Sequence, residues 1–186
     1  MKKVFALAFA VALAAPVLAG DKYKVDPVHT TVHFKVSHMN AGRYIGRFND
    51  TSGTVEWDSA DPSKSKIEVE VAVESLDTHQ EGREKHLKGP EFFNAKQFPK
   101  ITFKSTKIEK DGEKYKMTGD LALHGETHPV TTSFEITGKA KDPKGVEHVG
   151  GEAIFKVKRS EWGMKEHLDM IGDEVEMTVE IEAAKE

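Results

Sequence analysis

The sequence contains side chains that could act as nucleophiles and bases, but their spacing gives little support to catalysis. Ser37 precedes His38, and Ser75 lies near Asp77 and His79 in a short polar stretch. Neighbouring residues of a strand point to opposite faces, so Ser37 cannot easily use His38 as a base. The chain also lacks the GxSxG, GxGxxG and P-loop patterns of hydrolases and nucleotide-binding proteins. We therefore predict that the protein is not an enzyme.

Nine histidines raise the question of a metal site. His29 and His33 are four residues apart in an apparent strand, which separates them by about 13 Å along one face. His124 and His128 flank a predicted turn and could approach each other. A third ligand could come from His38, His86 or Glu126. Because no HxH, HExxH or cysteine cluster is present, we favour surface histidines and predict neither a metal site nor a cofactor.

The elements that would position these residues are strands. Apolar and polar residues alternate with a period of two in seven segments, which is typical of half-buried antiparallel strands. These segments are residues 32–36, 67–73, 101–104, 115–123, 134–136, 153–158 and 175–181. Asp111-Gly112 predicts a tight hairpin turn between two of them. Seven or eight strands in series with short connections indicate an all-β protein, an up-and-down barrel or a sandwich.

One stretch interrupts the alternation and predicts a short helical insert. Residues 78–88 are polar and compatible with a helix, with Thr78 as a candidate cap and Glu81 as its capping-box partner. The helix should end near Gly89-Pro90. Leu87 and the phenylalanines that follow form an apolar cluster, which could line the mouth of a barrel.

The N-terminus predicts export. Lys2 and Lys3 precede an apolar run, and small residues follow it up to Ala19, the pattern of a secretory signal peptide at residues 1–19. The run is too short for a stable membrane span of about 20 residues. Without Lys2 and Lys3, the 27 basic residues fall to 25 against 31 acidic ones, a net charge of −6. This charge argues against binding to nucleic acid and against simple electrostatic docking to an anionic membrane.

A series of short motifs resembles a known family. They are Tyr23-Lys24-Val25-Asp26-Pro27-Val28-His29-Thr30, Gly46-Arg47-Phe48, His86-Leu87-Lys88, Phe98-Pro99-Lys100-Ile101, His124-Gly125-Glu126-Thr127-His128, Arg159-Ser160-Glu161-Trp162-Gly163-Met164 and Ile171-Gly172-Asp173-Glu174-Val175. In this order and spacing the chain resembles the YceI-like family of polyisoprenoid-binding proteins. Each motif alone is weak, but the ordered set is specific and covers residues 20–186.

The resemblance implies a lipocalin-like antiparallel β-barrel of about eight strands with a short helical insert. It further implies a periplasmic carrier whose apolar interior holds a long-chain amphiphile such as a polyisoprenoid, quinone-like or fatty-acyl lipid. Transient membrane contact and a homodimer are compatible with such a role. The alternative is an exported metal-binding or stress-related interaction protein with a filled barrel and no lipid.

The apolar side of each strand is assigned to the barrel interior, and the predicted lipid-binding residues come from it and from the insert. They are Val32, Phe34, Val36, Val69, Val71, Phe92, Phe93, Phe103, Leu121, Leu123, Phe134, Phe155, Val157 and Met177. Alternation alone does not decide whether these side chains fill the interior or surround a ligand.

Basic residues near the mouth are candidates for contact with a lipid headgroup. They are Arg43, Arg83, His86 and Arg159. Arg159 continues the inward side of Phe155 and Val157, so its guanidinium should be buried and needs a partner. A structural salt bridge to Asp26, Glu161 or Asp173 is the favoured prediction, and contact with a headgroup is the alternative.

Overall fold

Alternating side chains place one face of every strand inside a closed antiparallel sheet. The computed structural model describes residues 20–186, and the predicted signal peptide, residues 1–19, lies outside the described residues. The strands are β1 (Asp21–Val25), β2 (Thr31–His38), β3 (Gly42–Phe48), β4 (Thr51–Trp57), β5 (Lys66–Ala72), β6 (Leu76–Asp77), β7 (Lys100–Asp111), β8 (Lys114–Leu123), β9 (Glu126–Lys141), β10 (Glu147–Lys158) and β11 (Ile171–Lys185). One α-helix of the described chain, α1 (Glu81–Leu87), lies between β6 and β7.

The eleven strands amount to eight long strands in the barrel wall, because three of the long strands are interrupted and each is counted as two. β1 pairs with β4 and β2 pairs with β3, so the hairpin of 21–38 with 42–57 continues across both breaks. On the other side of this hairpin, β4 pairs with β5 and β3 pairs with β6. From β5 onward each neighbour in the sheet is the next long strand of the chain, up to β11. The connectivity is therefore up-and-down throughout.

The barrel closes where β11 pairs with the first long strand. Val32 of β2 lies opposite Val179, and Tyr23 of β1 lies opposite Lys185. β11 changes partner between these two registers, at the break that separates β1 from β2. Closure leaves no long unpaired edge in this part of the wall, which removes the usual hazard of edge-to-edge association. The predicted antiparallel eight-stranded barrel is confirmed.

The end of the barrel that carries the Asp111–Lys114 hairpin, here called the base, is filled by side chains. Tyr23 and Ile108 are at most 1% exposed there, in one cluster with Trp57 and Met117. The Tyr23 hydroxyl donates a 2.5 Å hydrogen bond to the carboxylate of Glu147. Burial, reinforced by this bond, raises the pKa of the Tyr23 phenol and keeps it protonated as a donor.

The opposite end, here called the mouth, carries the two long connections of the chain, residues 78–99 and 159–170. α1 belongs to the first, but its start differs from the prediction. Gln80, not Thr78, is the cap, and its side chain accepts a hydrogen bond from the amide of Arg83. Glu84, not Glu81, reaches back and accepts a 2.7 Å bond from the Thr78 amide. Spacing alone favoured Thr78 because a hydroxyl is the commoner cap.

The outer face is polar and carries ion pairs that cross between strands. Lys104 lies 2.9 Å from Glu68, and Lys156 lies 2.7 Å from Glu174. Such exposed pairs contribute little to stability, but they keep the outer wall hydrated. No helix formed by residues 20–186 is long and apolar enough to cross a membrane.

Candidate ligand cavity

The interior above the base is an apolar cavity that follows the barrel axis to the mouth. The volume of this cavity is about 220 Å³. Trp57 and Met117 line the end nearest the base, and Phe92 and Phe93 line the mouth. Thr132, Glu152 and Arg159 are the polar residues of this wall within the described chain.

All fourteen residues predicted to bind lipid lie on the wall of this cavity. Several point inward yet keep some exposed surface, among them Val69, Phe103, Phe155 and Met177. In a filled core such side chains would be close-packed on all sides. Their remaining exposure therefore reflects open space in front of them.

The wall includes residues beyond these fourteen. Val175, Val179 and Ile181 share the inward side of Met177, in agreement with the period-2 pattern, which assigns the apolar side of this strand to the interior. Leu87 belongs to the apolar cluster predicted at the mouth and also lines the cavity. Met164 was missed, because it comes from the connection 159–170, where no such pattern exists. The place of Met164 in the wall follows from how this connection folds over the barrel.

Two glycines shape the wall beside aromatic rings. A Cβ atom added at Gly46 would come within 2.7 Å of Cε1 of Phe34, and one added at Gly119 would come equally close to Cε2 of Phe103. Real Cβ atoms do not approach rings so closely. These two rings therefore occupy room that any other residue at the glycine positions would take.

The helical insert covers part of the mouth through aromatic contacts. The ring centroid of Phe93 lies 5.5 Å from that of Phe48, edge to face, and 6.3 Å from that of Phe34. On its other side, α1 is anchored by Arg83, whose guanidinium lies 3.8 Å above the ring of Tyr44. The same guanidinium donates a 2.7 Å bond to the carbonyl of Thr78. Tertiary contacts thus hold a helix that is too short to be stable alone.

Arg159 is buried at the mouth, as its position in the strand pattern predicts, but its predicted carboxylate partner was wrong. Its guanidinium donates to three backbone carbonyls: Gly172 at 3.0 Å, Met164 at 2.8 Å and Ile171 at 2.9 Å. Asp173 instead accepts hydrogen bonds from the amide and hydroxyl of Ser160. Burial lowers the pKa of Arg159, yet a guanidinium stays protonated near neutrality.

The bonds of Arg159 fix the connection 159–170, because one carbonyl partner, Met164, lies within that loop and the other two, Ile171 and Gly172, lie just beyond its end. A guanidinium has five N–H donors, and three are directed at these carbonyls. The charge is therefore satisfied by dipoles and is not cancelled by a contacting carboxylate. Arg159 is both a structural residue and the basic side chain on the cavity wall of the described chain.

The other basic candidates lie outside the cavity wall. Arg43 is exposed on β3, and Arg83 is held by Tyr44 and Thr78. The ring of His86 is exposed, with its Nε2 atom 2.8 Å from the carboxylate of Glu91.

The candidate serines, and the two histidines that flank the predicted turn, have other partners. His124 donates from Nδ1 to the carbonyl of Trp162, and the ring of His128 packs edge to face against the indole of Trp162. Ser75 donates its hydroxyl to the carbonyl of Ala72 at 2.7 Å, away from His79. Ser37 and His38 follow each other on β2 and so face opposite sides of the sheet.

We expect Arg159→Met to lower the free energy of unfolding by about 3 kcal/mol or more, because each buried polar group left without a partner costs about 1–3 kcal/mol. Urea unfolding at equilibrium measures the change. Arg43→Met is the matched control, since this exposed side chain should change stability by no more than about 0.5 kcal/mol. A loss for Arg159→Met as small as that of the control would contradict the structural role.

Comparison with known proteins agrees with this architecture. The family model of the YceI-like domain matches residues 23–183. Protein YceI of Escherichia coli O157:H7 is 34% identical over 189 residues, covering 100% of this chain and 98% of that protein. The YCEI protein of Campylobacter jejuni is 33% identical with a TM-score of 0.70, over 76% of this chain and 84% of the other.

A more distant structure shares the fold. It is a polyisoprenoid binding domain from Saccharophagus degradans implicated in plant cell wall breakdown, with a TM-score of 0.71 at 13% identity, over 88% of this chain and 98% of that chain. The match to the family model spans nearly the whole barrel, from β1 to β11. The chain therefore belongs to the YceI-like family.

Proposed function

We propose that this protein binds one long-chain amphiphile, with the tail along the barrel axis and the polar end at the mouth. The observation that carries the proposal is the apolar cavity, which runs from Trp57 near the base to Phe92 at the mouth. The ligand class is an isoprenoid, quinone-like or fatty-acyl lipid, because all three present the same methyl- and methylene-rich surface. The filled barrel of the alternative hypothesis does not agree with this open interior.

The hydrophobic effect makes the cavity suitable for a carrier. Each methylene group that leaves water contributes about 0.8 kcal/mol, so a tail of roughly 20 carbons gains on the order of 16 kcal/mol before ordering costs. The same tail gains a similar amount in a bilayer. Exchange between membrane and barrel is therefore nearly balanced, and loading requires no covalent chemistry. Binding is accordingly proposed without an enzymatic step.

Family membership supports the lipid assignment. The related domain from Saccharophagus degradans is described as polyisoprenoid binding. The cavity of this protein also favours an apolar ligand, because its apolar lining would leave the polar groups of a ligand without hydrogen bonds. Arg159 at the mouth offers a positive charge to a phosphate or carboxylate headgroup.

The rim of the mouth supports exchange with a membrane. Three exposed apolar side chains lie there: Met39 at 59%, Leu168 at 43% and Met170 at 41%. The amide of Met39 donates a 2.6 Å bond to the carbonyl of Met170, so the two loops are joined. The next residue after Met170 is Ile171, which lines the cavity. These three side chains, here called the rim residues, would enter the lipid surface as the mouth approaches it.

We also infer that the protein works in the periplasm after removal of residues 1–19. The support is the basic start, the apolar run and the small residues before Gly20. A chain without cysteine also needs no disulfide to fold there.

We expect Val179→Trp to weaken lipid binding about tenfold, because loss of two buried methylene contacts costs about 1.6 kcal/mol. Val179 faces the cavity between Val32 and Ala153, and the indole would occupy that space. Native mass spectrometry after titration with a C20 isoprenoid alcohol measures the effect. Ile154→Trp is the matched control on the outer face, where the side chain is 54% exposed. Equal binding by both variants, or a barrel that never retains the alcohol, would refute the proposal.

Replacement of all three rim residues by serine should slow lipid transfer from neutral vesicles to the protein by about tenfold, because apolar contact with the lipid surface is lost. A fluorescence-quenching assay with a labelled fatty-acyl lipid measures the rate. The affinity for the same lipid delivered from detergent should not change. As a control, Ile45→Ser with Ile154→Ser removes exposed apolar side chains from β3 and β10, away from the rim. Equal slowing in both sets would show that the rim has no special part.

Expression of the full chain in a Gram-negative host should release a protein that begins at Gly20 into the osmotic-shock fraction. N-terminal sequencing and intact-mass measurement identify the start. Leu7→Arg, which places a charge within the apolar run, should leave the precursor unprocessed inside the cell. A released chain that still begins at Met1 would contradict cleavage.

A further inference from the structure

The break between β1 and β2 brings side chains from opposite ends of the chain together on the outer face of the barrel. Asp26 follows β1, and its amide donates a 2.8 Å bond to the carbonyl of Glu182 on β11. The Thr30 hydroxyl lies 3.3 Å from the same carbonyl and 3.2 Å from the Glu182 amide. These bonds fix the backbone of Glu182 against the break. Its side chain points outward, because the adjacent Ile181 and Ala183 line the cavity.

Three side chains converge at this position. The imidazole Nδ1 of His29 lies 2.8 Å from the carboxylate of Asp26. One ligand atom from each of Asp26, His29 and Glu182 lies within 4.8 Å of the other two. Bonds of about 2.0–2.2 Å to a tetrahedral zinc ion place ligand atoms roughly 3.3–3.6 Å apart. A contraction of the group by an ångström or so reaches that geometry.

The carboxylates of this group are oriented by further bonds. The Val28 amide donates a 2.8 Å bond to Oδ1 of Asp26 and leaves Oδ2 on the side of His29. His148 lies with Nδ1 2.8 Å from Oε1 of Glu182, and its other nitrogen lies 3.9 Å from a carboxylate oxygen of Asp142. Glu182 therefore keeps its second oxygen for another partner. Outer hydrogen bonds of this kind set the orientation of metal ligands in known sites.

We propose that Asp26, His29 and Glu182 bind a divalent first-row transition ion on the outer surface, with Zn²⁺ as the representative. One imidazole and two carboxylates suit Zn²⁺ better than Ca²⁺ or Mg²⁺, which take oxygen ligands. With a neutral imidazole the group carries a charge of −2, which a divalent cation neutralises. The ion joins the first long strand to β11 beside the line of closure. It lies on the opposite side of the wall from the lipid cavity and does not depend on the proposed function.

Calorimetric titration of the tag-free, metal-stripped mature chain with ZnCl₂ tests the proposal. The expected result is one ion per chain. His29→Ala should weaken binding by at least about 100-fold, and His148→Ala by about 10- to 100-fold, the usual range for a residue that orients a ligand. His33→Ala is the matched control, because it removes an imidazole from the outer face of β2 four residues away and should leave the affinity unchanged.

A thermal melt provides a second measurement on the same proteins. Zn²⁺ at 100 times its Kd should raise the Tm of the wild type and of His33→Ala by about 5–10 °C, and should not move that of His29→Ala. Without metal, His29→Ala and the wild type should have the same Tm, since the His29 side chain is 61% exposed. Absence of stoichiometric binding, or equal affinity in His29→Ala and the wild type, overturns the proposal.

Discussion

The pairing of β11 with the first long strand is the interaction on which the rest of the structure depends. An open sheet with the same side-chain alternation would leave its apolar face in water or would have to cover it with a second layer. Closure turns that face into a common interior, and it does so through two registers, Val32 opposite Val179 and Tyr23 opposite Lys185. The base, the cavity and the mouth are all parts of the interior that this pairing creates.

Closure at eight strands leaves a choice between a filled and a hollow interior, and this protein combines the two. Around Tyr23 and Ile108 the side chains meet and exclude water, which supplies the close-packed core that a chain without disulfides needs. Above them, the inward side chains of β11 leave room between opposite walls. The stability of the fold and the capacity for a ligand are thus carried by different levels of one barrel.

The sequence predicted what depends on a simple period and missed what depends on backbone geometry. Val32, Phe34 and Met177 were placed correctly, because residues two apart on a strand share a face. The inward direction of Arg159 was also predicted, but its partners are carbonyl groups, which every residue possesses and no spacing reveals. The cap of α1 was misassigned for a related reason, since Gln80 and Glu84 act through contacts with backbone amides.

The Phe34 ring lies close to Gly46 and the Phe103 ring lies close to Gly119, and these two contacts affect the width of the channel. In each pair the ring occupies the place of a missing side chain, so it rests at the wall and not on the axis. A methyl group at Gly46 would displace the Phe34 ring and narrow the passage, and one at Gly119 would meet both the Phe103 ring and the backbone carbonyl oxygen of Lys104, at 2.6 Å. The width of the channel is therefore set as much by two residues that have no side chain as by the large ones that line it.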